Sequence, residues 1–138
     1  MQLVKITRES RIPLMGHVAF GIVERADSNM IQVRATTVCN MKCGFCSTSA
    51  NDFELHPVNY IVDIDYLLDW MKEVVKIKGD GTQVFIDSVG DPLMHPDFVK
   101  LVAELRKVPQ IAEIIVITNG TLLGREKIDA LEKAGLTR

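Results

Sequence analysis

Residues 30–46 read MIQVRATTVCNMKCGFC, and this stretch decides how the rest of the chain is interpreted. Its first half alternates apolar Ile31, Val33 and Ala35 with polar side chains, which is the pattern of a β-strand. Its second half contains all three cysteines of the chain, at the spacing C-x3-C-x2-C. We therefore predict a strand over residues 30–37 that delivers three thiols from its carboxyl end into one loop.

Three thiolates so close together indicate a metal centre. Soft thiolate ligands select zinc, copper(I) or iron–sulfur clusters. A four-iron cluster uses one ligand for each iron. Cys39, Cys43 and Cys46 would therefore leave one iron open to a small molecule.

Other interpretations of the cysteines remain open. A structural zinc site usually has four Cys or His ligands, and His56 is the only nearby candidate for the fourth. A redox pair of Cys43 and Cys46 would leave Cys39 without a role. A disulfide framework is disfavoured by the odd number of cysteines.

The chain on both sides of the cysteines has the pattern of an α/β protein. Residues 1–15 are predicted to be an irregular or edge-strand lead-in, residues 17–24 and 30–37 a hairpin, and residues 49–57 a loop. Residues 82–87 and 111–118 are predicted strands, and residues 125–134 a helix that directs Ile128 and Leu131 inward and ends at Gly135. A further helix is predicted to open at Pro96-Asp97 and to end near Pro109.

The first predicted helix has the clearest signals. Asp63 is a good N-cap, and Gly79 is placed to end the helix in the left-handed conformation. The apolar positions between them recur every three or four residues and are Ile64, Leu67, Leu68, Met71, Val74 and Val75.

Alternating strands and helices predict right-handed βαβ units and a parallel sheet. Three unusual patches, at residues 39–46, 88–92 and 118–122, each follow the end of a predicted strand. Ligands of parallel α/β sheets bind beyond the carboxyl ends of the strands. We therefore expect the three patches to form one site.

These patches resemble motifs of the radical S-adenosylmethionine (radical SAM) superfamily. The cysteine spacing, with Phe45 just before the last cysteine, resembles the cluster motif of that family. Residues 88–97, SVGDPLMHPD, resemble its Gly-Gly-Glu-Pro segment, although Val89 replaces the first glycine and Asp91 replaces the glutamate. Residues 118–123, TNGTLL, resemble its TNG turn.

The resemblance implies a cofactor site. Cys39, Cys43 and Cys46 would hold a [4Fe–4S] cluster whose open iron binds S-adenosylmethionine, for reductive cleavage to a 5′-deoxyadenosyl radical. Val89, Gly90 and Asp91 would contact the methionine end of that cofactor, and Phe45 would lie near its adenine. Asn119 is a further candidate cofactor contact. Asn40 and Lys42 are interpreted as solvated loop residues.

The resemblance also implies a fold and partners. We expect a parallel βαβ half-barrel, a partial TIM-like barrel, over residues 30–138, with an N-terminal extension and the first hairpin strand in residues 1–29. Three of the family's six βα units are visible, so we expect a fragment that is inactive by itself. Its last strand would leave an unpaired edge available for self-association.

The reaction of such an enzyme, an oxidoreductase or a transferase, and its substrate stay open. An external electron donor would be a partner. The alternative is a non-catalytic iron–sulfur or zinc module for electron transfer or interaction.

Composition limits the alternatives further. The chain has 138 residues, of which 47% are hydrophobic and 25% charged, and its net charge is −2, as in ordinary soluble domains. The near balance of acidic and basic residues gives no electrostatic sign of nucleic-acid binding. The sequence has no apolar run of about 18 residues, which a membrane-spanning helix would need. The first residues, MQLVKITRES, lack the apolar core of a signal peptide, so we expect a reducing cytoplasm.

Overall fold

Six strands and three helices make up the described protein. A computed structural model describes residues 2–46 and 58–138. The strands are β1 (Gln2–Ile6), β2 (Gly21–Glu24), β3 (Met30–Arg34), β4 (Val58–Val62), β5 (Thr82–Ile86) and β6 (Ile111–Val116). The helices are α1 (Ile64–Lys78), α2 (Phe98–Arg106) and α3 (Arg125–Ala134). No helix among the described residues is long and apolar enough to cross a membrane.

The larger sheet confirms the predicted α/β fold. Its strand order is β2-β3-β5-β6. The hairpin strands β2 and β3 are antiparallel, whereas β3 pairs in parallel with β5 and β5 in parallel with β6. The helices α1 and α2 lie on the crossovers between the parallel strands. Within the described residues the sheet does not close into a barrel.

The two faces of this sheet differ in polarity. Ile31, Val33, Val84, Ile86 and Ile114 are all 0% exposed and belong to the one hydrophobic core. The residues between them point to the opposite face, because side chains alternate along a strand. On that face the Arg34 guanidinium forms a bidentate ion pair with the carboxylate of Asp87, with N–O distances of 3.1 Å.

The helix α1 confirms most of its prediction. The Asp63 carboxylate caps it by accepting a 2.9 Å hydrogen bond from the Tyr66 N–H. All six predicted apolar residues of the helix are buried, and Trp70 packs beside this core. Gly79 has the expected positive φ of 88°, but its ψ of −166° is extended rather than left-handed helical. The chain must turn there at once into the strand β5.

The helix α3 differs from its prediction in one residue. Gly135 ends it in the left-handed conformation, and Leu131 is 2% exposed, as predicted. Ile128, which was predicted to point inward, is 50% exposed. The helix lies against α2, and only a narrow side of it reaches the core, so Leu131 is its one buried residue.

The edge of β6 is not wholly unpaired, so this expectation is wrong in part. The Thr137 N–H donates to the Ile114 carbonyl oxygen at 2.8 Å, and the Val116 N–H donates to the Arg138 carbonyl oxygen at 2.8 Å. The last residues of the chain thus cover the part of the edge around Ile114 and Val116.

A second, two-stranded sheet was not predicted. β1 pairs in parallel with β4, from Gln2 opposite Val58 to Ile6 opposite Val62. The Val62 N–H also donates to the Ala35 carbonyl oxygen at 2.8 Å. The small sheet is therefore attached to the chain just after β3, where the cysteine-containing loop begins.

His95 is a buried histidine that the sequence analysis did not single out. It is 3% exposed, its Nε2 lies 2.8 Å from the Val62 carbonyl oxygen, and its Nδ1 accepts a 3.0 Å hydrogen bond from the Asp97 N–H. Because Nδ1 is an acceptor, Nε2 carries the proton of the neutral ring. Burial lowers the pKa of His95, since it disfavours the charged form.

We expect the protein to lose stability as the pH falls below the ordinary histidine pKa of about 6.5. The lowered pKa keeps His95 neutral in the fold while the unfolded chain binds a proton, so acid favours unfolding. One histidine changes the free energy of unfolding by at most about 1.4 kcal/mol per pH unit. Urea denaturation at about pH 7.5 and about pH 5.5 measures this loss.

Two variants isolate the contribution of His95. His95→Gln keeps a donor and an acceptor on the side chain, and we expect it to weaken the pH dependence. His17→Gln, at a half-buried histidine that stacks on Phe20, is the matched control for the loss of an imidazole. An equal pH dependence in His95→Gln and the unsubstituted protein would contradict this assignment.

Candidate functional site

Three loops meet at the carboxyl ends of the parallel strands, as the sequence predicts. They are the cysteine loop after β3 (residues 38–46), the β5 loop (residues 87–91) and the β6 loop (residues 117–122). The Asp91 N–H donates to the Val38 carbonyl oxygen at 2.8 Å, which joins the first two. The Asn40 side chain donates to Thr121 Oγ1 at 2.8 Å, which joins the first and third.

The base of the cysteine loop is held by two threonines and the strand β4. Thr36 is fully buried, and its hydroxyl donates to the Tyr60 carbonyl oxygen at 3.1 Å while it accepts from the Val38 N–H at 3.1 Å. The Thr37 hydroxyl accepts from the Tyr60 N–H at 2.8 Å. The chain therefore leaves β3 in a fixed direction before it reaches Cys39.

The three cysteines are half-buried, and none of them forms a disulfide bond. The Cys46 N–H donates to the Cys43 carbonyl oxygen at 3.0 Å, so a tight turn brings these two residues together. Within residues 2–46 and 58–138, no three His, Cys, Asp or Glu side chains are arranged closely enough to hold a metal ion. His56, the candidate fourth ligand of a zinc site, lies outside the described residues.

The donor set fits an iron–sulfur cluster. It consists of three thiols on one short loop, at the edge of the sheet where ligands of α/β proteins bind. Thiolates are the ligands that such clusters use. The three sulfurs would have to approach one another to share a metal.

Gly90 brings the β5 loop into direct contact with the cysteine loop. A Cβ atom added at Gly90 would lie 2.2 Å from the Val38 carbonyl oxygen and 2.4 Å from that of Thr37. No larger residue fits there without moving the backbone that leads to Cys39. The close approach at this glycine is made by the protein's own main chain, and the predicted contact of Gly90 with a cofactor stays a prediction.

Asp91 is buried and joins the β5 and β6 loops. It is 2% exposed. Its carboxylate accepts hydrogen bonds from the Leu93 N–H at 2.9 Å, the Asn119 N–H at 2.7 Å and the Thr118 hydroxyl at 2.7 Å and 3.0 Å. The predicted contact of this side chain with a cofactor stays a prediction. The structure gives the same carboxylate a structural role.

Asn119 and Asn40 are hydrogen-bonded to each other, so Asn40, an exposed loop residue as predicted, also contacts the β6 loop. Both are exposed, yet the Asn119 amide nitrogen donates to Asn40 Oδ1 at 3.0 Å. The Asn119 amide oxygen accepts from the Thr121 N–H at 3.0 Å and from its hydroxyl at 2.7 Å. No spacing signal in the sequence marks this pairing, because the partners lie 79 and 81 positions apart.

Two apolar side chains of the cysteine loop point to solvent. Phe45 is 93% exposed and Met41 is 39% exposed. Exposed large apolar groups beside a polar rim often mark a binding surface. Phe45 is therefore available to cover a ligand held at the thiols.

Comparison with known proteins identifies the family. The model of the radical SAM superfamily matches residues 33–138. An uncharacterized protein of Methanocaldococcus jannaschii is 41% identical over 131 residues, which cover 92% of this chain and 30% of that protein. A GTP 3′,8-cyclase of Petrotoga mobilis is 34% identical over 113 residues, covering 78% of this chain and 32% of the cyclase.

A GTP 3′,8-cyclase of Clostridium perfringens is 31% identical over 108 residues, covering 78% of this chain and 32% of the cyclase. The chain thus spans about a third of the length of the curated relatives that it matches. No solved structure matches the chain significantly. The matched region contains all three loops of the site, and on this ground the chain belongs to the radical SAM superfamily.

Proposed function

We propose that this chain is the cluster- and cofactor-binding part of a radical SAM enzyme. Cys39, Cys43 and Cys46 ligate a [4Fe–4S] cluster, and the iron without a protein ligand takes S-adenosylmethionine. When bound, the cluster would supply the electron that cleaves S-adenosylmethionine to a 5′-deoxyadenosyl radical. What supports the proposal is the meeting of the three-thiol loop with the β5 and β6 loops at the carboxyl ends of a parallel sheet.

The β5 loop is suited to hold the methionine end of S-adenosylmethionine. The Asp91 N–H and the Gly90 N–H are both turned inward, to the Val38 carbonyl oxygen and to the Ser88 hydroxyl. Val89 and Gly90 are half-buried beside the cysteine loop, so their carbonyl groups are the acceptors that we assign to the cofactor ammonium. A cationic ligand suits these acceptors because charge-assisted hydrogen bonds are stronger than neutral ones.

The other proposed cofactor residues have different tasks. Phe45, which is 93% exposed, covers the adenine. Asp91 and Asn119 act on the cofactor through the loop backbone that their side chains fix. Both residues thus serve the cofactor site indirectly, because most of their polar atoms are already bonded within the protein.

The proposal includes partners but no substrate. An external donor has to supply electrons to the cluster, and the cysteines require a reducing compartment such as the cytoplasm, because thiolates are lost to oxidation. The relatives named GTP 3′,8-cyclase match 78% of this chain, and the family model that it also matches contains the three loops. That similarity supports a common cofactor chemistry, and no substrate is proposed from it.

We expect anaerobic reconstitution with iron and sulfide to load about four irons per chain, because a cubane cluster is the species that leaves one iron open to S-adenosylmethionine. Addition of S-adenosylmethionine should then change the electron paramagnetic resonance spectrum of the reduced cluster. Cys39→Ala, Cys43→Ala and Cys46→Ala should each lose most of the iron.

Met41→Ala is the matched control, since Met41 lies in the same loop but offers no thiolate. Its iron content should equal that of the unsubstituted protein. Zinc bound in place of iron would favour the non-catalytic module. A cluster whose spectrum ignores S-adenosylmethionine would overturn the proposed function while leaving the cysteines as ligands.

We expect Gly90→Ala to weaken the response to S-adenosylmethionine and to destabilise the fold. The added methyl group would meet the Val38 and Thr37 carbonyl oxygens at 2.2 Å and 2.4 Å, so the β5 loop has to move away from the cysteine loop. Such overpacking costs about 1–3 kcal/mol. Urea denaturation and titration of the reconstituted protein with S-adenosylmethionine measure the two effects.

Gly44→Ala is the control for this variant, because a Cβ atom at Gly44 meets nothing within 4 Å. It should leave stability nearly unchanged. If Gly90→Ala kept both the stability and the cofactor response of the unsubstituted protein, the proposed role of this close approach in cofactor binding would be refuted.

A further inference from the structure

Asn40, Asn119 and Thr121 form a closed ring of side-chain hydrogen bonds between the cysteine loop and the β6 loop. The Asn119 Nδ2 donates to Asn40 Oδ1 at 3.0 Å, the Asn40 Nδ2 donates to Thr121 Oγ1 at 2.8 Å, and the Thr121 hydroxyl donates to Asn119 Oδ1 at 2.7 Å. Each group both donates and accepts in the same sense around the ring. Bonds arranged in this way polarise and strengthen one another.

The ring has only one chemically consistent orientation. The Thr121 N–H can only donate, and it donates to the Asn119 amide at 3.0 Å, so the atom facing it must be the oxygen. The Asn119 nitrogen must then face Asn40, which in turn must present its oxygen to Asn119 and its nitrogen to Thr121. The orientation of both amides is thus set by one backbone donor.

The ring is also connected to the buried part of the site. The Asp91 carboxylate accepts hydrogen bonds from the Asn119 N–H at 2.7 Å and from the Thr118 hydroxyl, so the β6 loop is fixed on its buried side. A continuous series of hydrogen bonds therefore runs from a residue that is 2% exposed to the residue directly after Cys39.

We propose that Asn40 is a positioning residue that docks the cysteine loop on the β6 loop and so sets the direction in which the thiols approach a cluster. This inference rests on the proposed function, because it gives the ring its purpose. Cys39 is held at the base of the loop by Val38 and Thr36, whereas Cys43 lies three residues beyond Asn40. Through Asn40, which lies between them, the ring joins the outer side of the cysteine loop to the β6 loop.

A purely structural role makes a different prediction. Asn40, Asn119 and Thr121 are all exposed, so the ring buries little apolar surface and the core does not depend on it. Its loss should leave the unfolding of the cluster-free protein nearly unchanged. If the ring positions the cysteine loop, its loss should appear in the behaviour of the metal site, where residues behind the ligands commonly change affinity by about 10–100-fold.

The test uses neutral, nearly isosteric variants at Thr121. Thr121→Val removes the hydroxyl and opens the ring, and Thr121→Ser restores a hydroxyl. In the reconstituted protein, we expect Thr121→Val to release iron to a chelator about tenfold faster under anaerobic conditions and to weaken the spectral response to S-adenosylmethionine. Thr121→Ser should return both values to within about twofold of the unsubstituted protein.

Asn40→Asp is the second variant, because a carboxylate keeps the shape of Asn40 but cannot donate to Thr121. It should release iron as fast as Thr121→Val, and the double variant should be no worse than the more severe single one, because both changes open the same ring. Asn29→Asp is the matched control, at an exposed asparagine that donates to the Gly81 carbonyl oxygen in a turn away from the site. It should release iron at the normal rate.

The outcomes separate the two proposals. If the unsubstituted protein binds a cluster that responds to S-adenosylmethionine, and Thr121→Val and Asn40→Asp behave like it, the positioning role is refuted while the proposed function stands. Equal losses of thermal stability without faster iron release would also refute it, since they indicate a structural contact only. If the unsubstituted protein takes up no cluster, the proposed function fails and the positioning role fails with it.

Discussion

The arrangement of the loops at the carboxyl end of the sheet depends on the hydrogen bonds that the Asp91 carboxylate accepts. A buried carboxylate costs several kcal/mol unless its lone pairs are satisfied. Here the donors among the described residues are neutral, namely two backbone N–H groups and the Thr118 hydroxyl. Hydrogen bonds to a charged group contribute roughly 1.5–3 kcal/mol each, so the β5 and β6 loops keep these partners. Through the Asn119 N–H, the same carboxylate fixes the β6 loop, which is bonded to Asn40 in the cysteine loop.

The parallel core could be predicted because its signals are local. The alternation at Ile31 and Val33 and the spacing along α1 each determine which side chains are buried, and the structure buries them. The strand β4 was missed because its partner β1 lies 56 positions earlier, Gln2 being paired with Val58. Pairing over such a distance leaves no periodic trace in a five-residue segment. The prediction that Ile128 points inward was wrong for a related reason. The width of the buried side of a helix depends on what packs against it.

The cysteine loop shows what the sequence could and could not predict about the site. The thiols and their placement after β3 follow from residue type and order alone. The roles of Asn40 and Thr121 do not, because Asn and Thr are common in loops and bond to whatever lies nearby. Only the three-dimensional approach of two strand ends reveals that these residues are partners. Asp91 was predicted as a site residue because residues 88–97 resemble a motif of the family, but the direction of its carboxylate depends on the β6 loop.

The strand that closes the cysteine loop also has a consequence for biosynthesis. Thr36 and Thr37 are held by Tyr60, a residue of β4, which is translated after all three cysteines. In the nascent chain the thiols therefore leave the ribosome before the strand that confines them. Domains form as units once their segments have emerged, so the cysteines are exposed to solvent until β4 pairs with β1. Their redox state at that moment is set by the surroundings rather than by the fold.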